Sequence, residues 1–170
     1  PGPRVLVGHS LGGAVALEAA LAHADLVDGL VLIATGARLP VPEHAVERAR
    51  ADLRAECERV VRASYVREDP AAVARGVEQM LAAGRETLLA DYAACDESDV
   101  RDRLSENEAP GAEDPLTPVW MAEELAAGLP AAHMVVVPEA SHAVMVERAV
   151  VVNLLIAGYL ARLEVTWQEG

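Results

Sequence analysis

The stretch RVLVGHSLGGAVALEAALA, residues 4–22, changes its hydrophobic period at a single serine, Ser10. Residues 5–7 are apolar and β-branched at two of three positions, which is typical of a buried strand. Residues 14–21 contain no proline and are mostly strong helix formers. The stretch therefore predicts a strand that passes directly into a helix, with Ser10 in the connecting turn.

The turn has the pattern G-x-S-x-G, formed by Gly8, His9, Ser10, Leu11 and Gly12. Between a strand and a helix, such a serine occupies a strained turn that exposes its hydroxyl, and glycine stands where a side chain would collide. The backbone N–H of Leu11 would lie at the helix N-terminus, where negative charge on a reacting oxygen is stabilised. A serine in a glycine-rich turn can also simply cap a helix, but the flanking strand and helix favour a nucleophile.

Two further apolar runs extend the predicted sheet. Residues 29–34 form a run of strand length, and a strand, a helix and a strand in about thirty residues predict a βαβ unit with parallel strands. Residues 133–137 predict a third strand, and residues 148–163 a final amphipathic helix. We expect residues 4–7, 30–34 and 133–137 to be parallel neighbours.

Residues 43–104 contain no strand-like run and carry apolar residues at helical spacing. Asp69 followed by Pro70 is typical of a helix start, Gly84 divides this helix from the next, and Ser98 is a candidate cap of a short fourth helix. Before these helices in the chain, residues spaced three or four positions apart predict a single long helix. They are Val46, Ala49, Leu53, Cys57, Val60 and Ser64.

A helical block inserted over the active-site edge of a sheet usually shapes the pocket as a lid. We therefore expect three parts: a core segment at residues 1–40, a helical cap at 41–105 and a second core segment at 106–170.

Composition excludes several classes of function. The net charge of −13 argues against nucleic-acid binding, which needs a basic face. No apolar stretch approaches the roughly 18 residues that cross a bilayer, so we expect a cytoplasmic protein without a membrane partner. Cys57 and Cys95 lack a C-x-x-C or histidine neighbour, so we expect ordinary thiols and no metal or other cofactor.

A serine nucleophile needs a base, and His142 is the best placed of the five histidines. It follows the predicted strand at residues 133–137 by a short loop, which puts it at the same carboxyl edge as Ser10. His9 stands beside Ser10, but we expect its side chain to point elsewhere on the tight turn.

The base must in turn be oriented by a carboxylate. Asp114 lies in a loop directly before a predicted helix, and the order serine, acid, histidine belongs to serine hydrolases with a strand-to-helix nucleophile. Asp114 is alternatively an ordinary turn acid before Pro115, and Glu113 is a second candidate for the acid.

Three motifs together resemble the α/β-hydrolase family. VLVGHSLGG at residues 5–13 resembles its nucleophile elbow, GAEDPLTP at 111–118 its acid loop and VVVPEASHAVMVE at 135–147 its histidine loop. The resemblance covers most of residues 4–160 and corresponds to the C-terminal two-thirds of the fold. It implies a partial α/β-hydrolase fold, a mostly parallel sheet flanked by helices with an inserted helical cap.

The resemblance implies Ser10 as nucleophile, His142 as base, Asp114 as acid and the Leu11 N–H as one oxyanion donor. The expected reaction is cleavage of a carboxylic ester, lactone or similar small acyl substrate through an acyl-enzyme, without a cofactor. Serine at the elbow argues against the dehalogenases and epoxide hydrolases of this fold, which use aspartate there.

The sequence also departs from the family pattern. The opening strands, with the loop that supplies a second oxyanion N–H, are expected before residue 1, so the chain resembles an N-terminally truncated member. Residues 107–111 lead into the acid loop without the usual apolar strand, and Ser141 stands where glycine is usual. The alternative function is therefore an inactive remnant or a small-ligand-binding relative, and we expect exposed apolar surface and self-association.

Overall fold

The structure is a computed structural model that describes residues 2–67, 69–103, 114–129 and 132–169. Its elements begin with a βαβ unit made of strand β1 (Val5–His9), helix α1 (Leu11–Ala22) and strand β2 (Gly29–Ile33). The strands are parallel, as predicted, with Val5 opposite Gly29 and His9 opposite Ile33. Both strands therefore end at one edge, and the residues that follow them are neighbours there.

The predicted third strand is wrong. Residues 132–137 form neither helix nor strand, and the side chains of Val135 and Val136 are 57% and 52% exposed. A strand exists only where a neighbour satisfies its backbone N–H and C=O groups. In the described part of the chain the sheet has two strands, β1 and β2, and neither pairs with this segment. The apolar run is therefore present without the pairing that would make it a strand.

The middle of the chain is helical, as predicted, but the single long helix is wrong. The segment instead forms α2 (Glu43–Ala51) and α3 (Leu53–Ala63). Asp52 is extended between them, and its side chain accepts a hydrogen bond from the backbone N–H of Ala55 at 3.0 Å. Aspartate favours this local bond over a helix interior, and the first helix therefore ends here. The apolar residues nevertheless continue at helical spacing across the break.

Other boundaries follow the local chemistry. Helix α4 (Pro70–Ala83) begins after Asp69, whose side chain accepts from the backbone N–H of Ala71 at 2.9 Å. Gly84, with φ of 90°, separates it from α5 (Arg85–Glu97). Ser98 ends α5 instead of opening a new α-helix, and a 3₁₀ turn at Arg101–Arg103 follows it before the described residues break off at 103.

Three more helices complete the described elements: α6 (Val119–Gly128), α7 (Val144–Glu147) and α8 (Ala149–Glu169).

Buried hydrophobic residues form two separate clusters. One joins the helical block through Ala49, Cys57, Val61, Val73, Val77 and Leu88. The other joins α1, α6 and the loops after β2 and α5 through Leu17, Ala37, Val100 and Leu125. The helices α2 to α5 thus have a core of their own, and the division into three parts stays a prediction.

Large apolar side chains are exposed, as predicted. On α8, Val150 and Leu154 are 73% and 68% exposed, and Val7 of β1 and Val15 of α1 are more than half exposed.

Among the described residues, no helix combines the length and the apolar character that crossing a bilayer requires.

Candidate active site

Ser10 occupies a strained turn at the end of β1. Its φ is 51° and its ψ is −124°, a backbone conformation that residues other than glycine rarely adopt. Two hydrogen bonds, one to the last residue of β2 and one to a residue just after it, hold it there. The backbone N–H of Ser10 donates to the Ile33 carbonyl at 3.0 Å, and the Thr35 hydroxyl donates to the Ser10 carbonyl at 2.8 Å. The neighbouring strand therefore stabilises the strained serine.

Close packing explains two glycines at this turn. A Cβ at Gly8 would lie 2.2 Å from the Gly12 carbonyl oxygen, and one at Gly13 would lie 2.6 Å from the Thr35 methyl group. The helix can leave the strand so sharply only because these side chains are missing. A Cβ at Gly12 would meet no heavy atom of the described residues within 4 Å, so crowding does not account for that glycine.

Leu11 is the first residue of α1, directly after Ser10. Its backbone N–H is one of the initial amides of the helix, which have no carbonyl acceptor within the helix. The helix dipole adds partial positive charge at this end. Its use as an oxyanion donor stays a prediction.

Asp114 and His142 lie in direct contact. The Nδ1 atom of His142 is 3.0 Å from Asp114 Oδ2, and the two side chains are only 9% and 10% exposed. Thr117, at the start of the segment that leads into α6, donates from its hydroxyl to the same Asp114 oxygen at 2.7 Å and lies 3.1 Å from His142 Nδ1. The predicted acid and base thus form a buried pair with a threonine beside them.

The charge state of Asp114 determines the histidine tautomer. Burial opposes its ionisation, but hydrogen bonds from His142, Thr117 and the backbone N–H groups of Leu116 and Thr117 hold its pKa below the usual value. An ionised carboxylate only accepts, so the hydrogen of neutral His142 lies on Nδ1. This leaves His142 Nε2 unprotonated, as a general base requires.

The side chain of His9, expected to point elsewhere on the turn, lies against the histidine loop. Its Nε2 lies 2.9 Å from the His142 carbonyl oxygen, and the two rings are 4.7 Å apart between centroids at 54°. Burial first, and then the nearby His142, lower the pKa of His9. The neutral ring therefore carries its hydrogen on Nε2 and donates it to the carbonyl. His9 joins the serine turn to the histidine loop.

Sequence reasoning placed His9 in the serine turn but missed its contact with the histidine loop, and it missed Thr117 as part of this site. Thr117 had a local signal, because an aspartate commonly binds the backbone and hydroxyl groups two or three residues further on. His9 had none, because its partner is 133 residues away in the chain.

Among the described residues, the Ser10 hydroxyl is not a hydrogen-bond partner of His142. Such bonds are often long before substrate binds. In this structure His9, the residue before Ser10, connects the serine turn to His142. Glu113 and the segment 107–111 lie outside the described residues.

Metal-binding geometry is absent from the described ranges, where no three histidine, cysteine or acidic side chains lie close enough to hold an ion. Cys57 is buried and Cys95 half-buried, both are free thiols, and burial raises the pKa of each.

Solved structures resemble this chain over most of its length. A thermophilic esterase is 30% identical with a TM-score of 0.81, over 94% of this chain and 66% of the esterase chain. A thermophilic esterase from Thermogutta terrifontis is 28% identical with a TM-score of 0.75, over 96% and 66%. An N-acyl homoserine lactone degrading enzyme is 27% identical with a TM-score of 0.75, over 92% and 68%. The chain thus spans about two-thirds of the length of these proteins.

Residues 1–154 of this chain match the alpha/beta hydrolase family. The match contains the strained Ser10 turn and the paired Asp114 and His142, the three positions that carried the resemblance in the sequence. The chain therefore belongs to the alpha/beta hydrolase family.

Proposed function

We propose that this chain carries the catalytic part of a serine hydrolase that cleaves carboxylic esters, lactones or similar small acyl compounds. The observation that carries the proposal is the buried Asp114–His142 pair at 3.0 Å, tied by His9 to the strained turn of Ser10. A carboxylate on Nδ1 of a histidine leaves Nε2 free for the serine proton, which is the arrangement that activates a serine hydroxyl.

The reaction begins when the Ser10 hydroxyl attacks the substrate carbonyl and His142 Nε2 takes the proton. Asp114 stabilises the imidazolium that forms, and the N–H of Leu11 at the start of α1 donates to the oxyanion. The bond to the alkoxy group breaks as His142 returns the proton to that oxygen, leaving an acyl-Ser10 ester. Water, deprotonated by the same histidine, then releases the acid and restores the serine.

The substrate class rests on similarity to solved structures. The similar solved structures include esterases and a lactone-degrading enzyme. An ester and a lactone present the same electrophilic carbonyl, and a lactone keeps its leaving alkoxide attached to the acyl group. One Ser10 mechanism serves both substrates.

A second candidate function is binding of a small ligand without turnover. Its support is that we identify one oxyanion donor among the described residues, the Leu11 amide at the start of α1. Removal of one oxyanion donor typically costs on the order of 10²- to 10³-fold in rate. A chain limited to this donor would bind an acyl compound far better than it hydrolyses it.

Labelling with a fluorophosphonate probe separates the two candidates, because the probe reacts only with an activated serine. We expect one adduct per chain by intact mass, located on Ser10 by peptide mapping and lost in Ser10→Ala. Ser98→Ala, at the end of α5, is the matched control and should label normally. A wild-type chain that unfolds cooperatively but forms no adduct would overturn the enzymatic proposal and leave ligand binding.

A further inference from the structure

Glu147, the last residue of α7, holds two distant segments with one carboxylate. Its Oε2 accepts from the backbone N–H of Ser141 at 2.8 Å. Its Oε1 accepts from the backbone N–H of Val66 at 2.8 Å and of Arg67 at 3.4 Å. Val66 and Arg67 lie in the connection between α3 and α4, and Ser141 is the residue before His142.

Two further hydrogen bonds join the same segments. The backbone N–H of Ala143, the residue after His142, donates to the Ser64 carbonyl at 2.8 Å. The Ser141 hydroxyl donates to the Ala63 carbonyl at 3.3 Å. Both chain neighbours of His142 are therefore bound to the end of α3 and the residues after it, and His142 is held between them.

A carboxylate suits this junction for a chemical reason. An ionised carboxylate has two accepting oxygens and no donor, so it can satisfy N–H groups on both sides with charge-assisted hydrogen bonds. Glutamine has the same shape but only one accepting oxygen, and its NH₂ group would face an N–H donor. Glu147→Gln therefore breaks one side of the junction while leaving the volume unchanged.

We propose that Glu147 is a positioning residue for His142, which fixes the histidine loop against the connection between α3 and α4. The inference rests on the proposed function, since it assigns a partner to the base of that reaction. Because the other side of the junction belongs to the helical block, any displacement of α3 or α4 is transmitted through Glu147 to the backbone on which His142 stands.

The test compares Glu147→Gln with Glu139→Gln. Glu139 is a matched control, because it lies in the same loop, is exposed and pairs with Arg148 at the surface. Two quantities are measured: amide hydrogen exchange in peptides covering residues 64–67 and 140–143, and the second-order rate of fluorophosphonate labelling at Ser10.

We expect Glu147→Gln to speed exchange in both peptides and to slow labelling about ten- to a hundredfold, since a misplacement of about 1 Å at a catalytic group can cost about 10² in rate. Glu139→Gln should change neither quantity. Faster exchange with an unchanged labelling rate would overturn the inference. If Glu147→Gln does not fold, Glu147→Asp is the second variant, because it keeps both oxygens on a shorter stem.

A double-mutant cycle with His142→Ala distinguishes positioning from general support of the fold. If Glu147 acts through His142, its effect on the residual labelling of Ser10 disappears in the His142→Ala background. An equal effect in both backgrounds would overturn the inference. If the wild-type chain does not label at all, the proposed function and this role of Glu147 are both overturned. The exchange rates of the two peptides would still report whether Glu147 joins the two segments.

Discussion

His9 donates a hydrogen bond from its Nε2 to the backbone carbonyl of His142 at 2.9 Å, so the residue beside the candidate nucleophile holds the backbone of the candidate base. The two rings also pack against each other, with centroids 4.7 Å apart. One side chain thus joins the end of β1 to the histidine loop, although no hydrogen bond connects Ser10 to His142 in the described residues.

This contact predicts the effect of replacing His9. His9→Ala removes both the donor and the ring, and we expect fluorophosphonate labelling of Ser10 to slow about tenfold, in line with about 1.4 kcal/mol for a hydrogen bond that aligns the candidate base. His9→Gln keeps an N–H donor at a similar reach and should recover part of the rate. Equal labelling of wild type and His9→Ala, measured at pH 7, would show that the contact does not position His142.

Gly8 and Gly12 give a matched pair for the packing of the serine turn. Gly8→Ala puts a Cβ 2.2 Å from the backbone of Gly12, so strand and helix must separate, and we expect a loss of about 1–3 kcal/mol in the free energy of unfolding. Gly12→Ala enters open space within α1 and should leave stability unchanged or raise it by up to about 1 kcal/mol. Urea unfolding of the two variants makes the comparison, and equal destabilisation would contradict it.

Glu56 forms a buried ionic centre in the helical block. Its carboxylate is fully inaccessible and accepts hydrogen bonds from Arg48, Arg59 and the Tyr92 hydroxyl. Burial opposes its ionisation, but the bonds from Arg59, Arg48 and Tyr92 outweigh this and lower its pKa to about 2. We expect Glu56→Gln to lower the free energy of unfolding by about 2–3 kcal/mol at pH 7, less than the ~3–5 of a fully buried pair, because both arginines are partly exposed.

The same centre predicts a dependence on pH. The pKa of Glu56 is lower in the folded chain than its ordinary value of 4.5, so its stabilising effect is complete above pH 4.5 and is lost as the pH falls toward about 2. The difference in unfolding free energy between wild type and Glu56→Gln should therefore shrink between pH 4.5 and pH 3. Urea titrations at several pH values measure it, and a constant difference would show that the pKa of Glu56 is the same in the folded and the unfolded chain.

The exposed apolar surface predicts self-association. Val150 and Leu154 are 73% and 68% exposed on α8, and Val135 and Val136 are exposed on the segment after α6. We expect the weight-average sedimentation coefficient to rise with concentration and with added salt, which screens the net charge of −13. Val150→Glu combined with Leu154→Glu should reduce this rise, and Glu78→Gln, an exposed change on α4, should not. A wild-type monomer at all concentrations would contradict the prediction.

Much of the fold was predictable because its signals are local. The change of period at Ser10 marks β1 and α1, and Asp69, Pro70 and Gly84 mark helix ends through hydrogen bonds and φ values that involve only nearby residues. The break at Asp52 also has a local cause, but the apolar residues continue at helical spacing across it, and this spacing predicts an uninterrupted helix.

The βαβ unit, the turn that holds Ser10 and the residue types of the candidate acid and base all follow from local sequence patterns. Which segments meet depends on the packing of the whole chain. Residues 132–137 are not a strand because no described strand pairs with them, and His9, Thr117 and Glu147 act on the histidine loop through contacts that span up to 133 residues. Periodicity and capping depend on neighbours in the chain, whereas strand pairing and the support of the candidate base depend on neighbours in space.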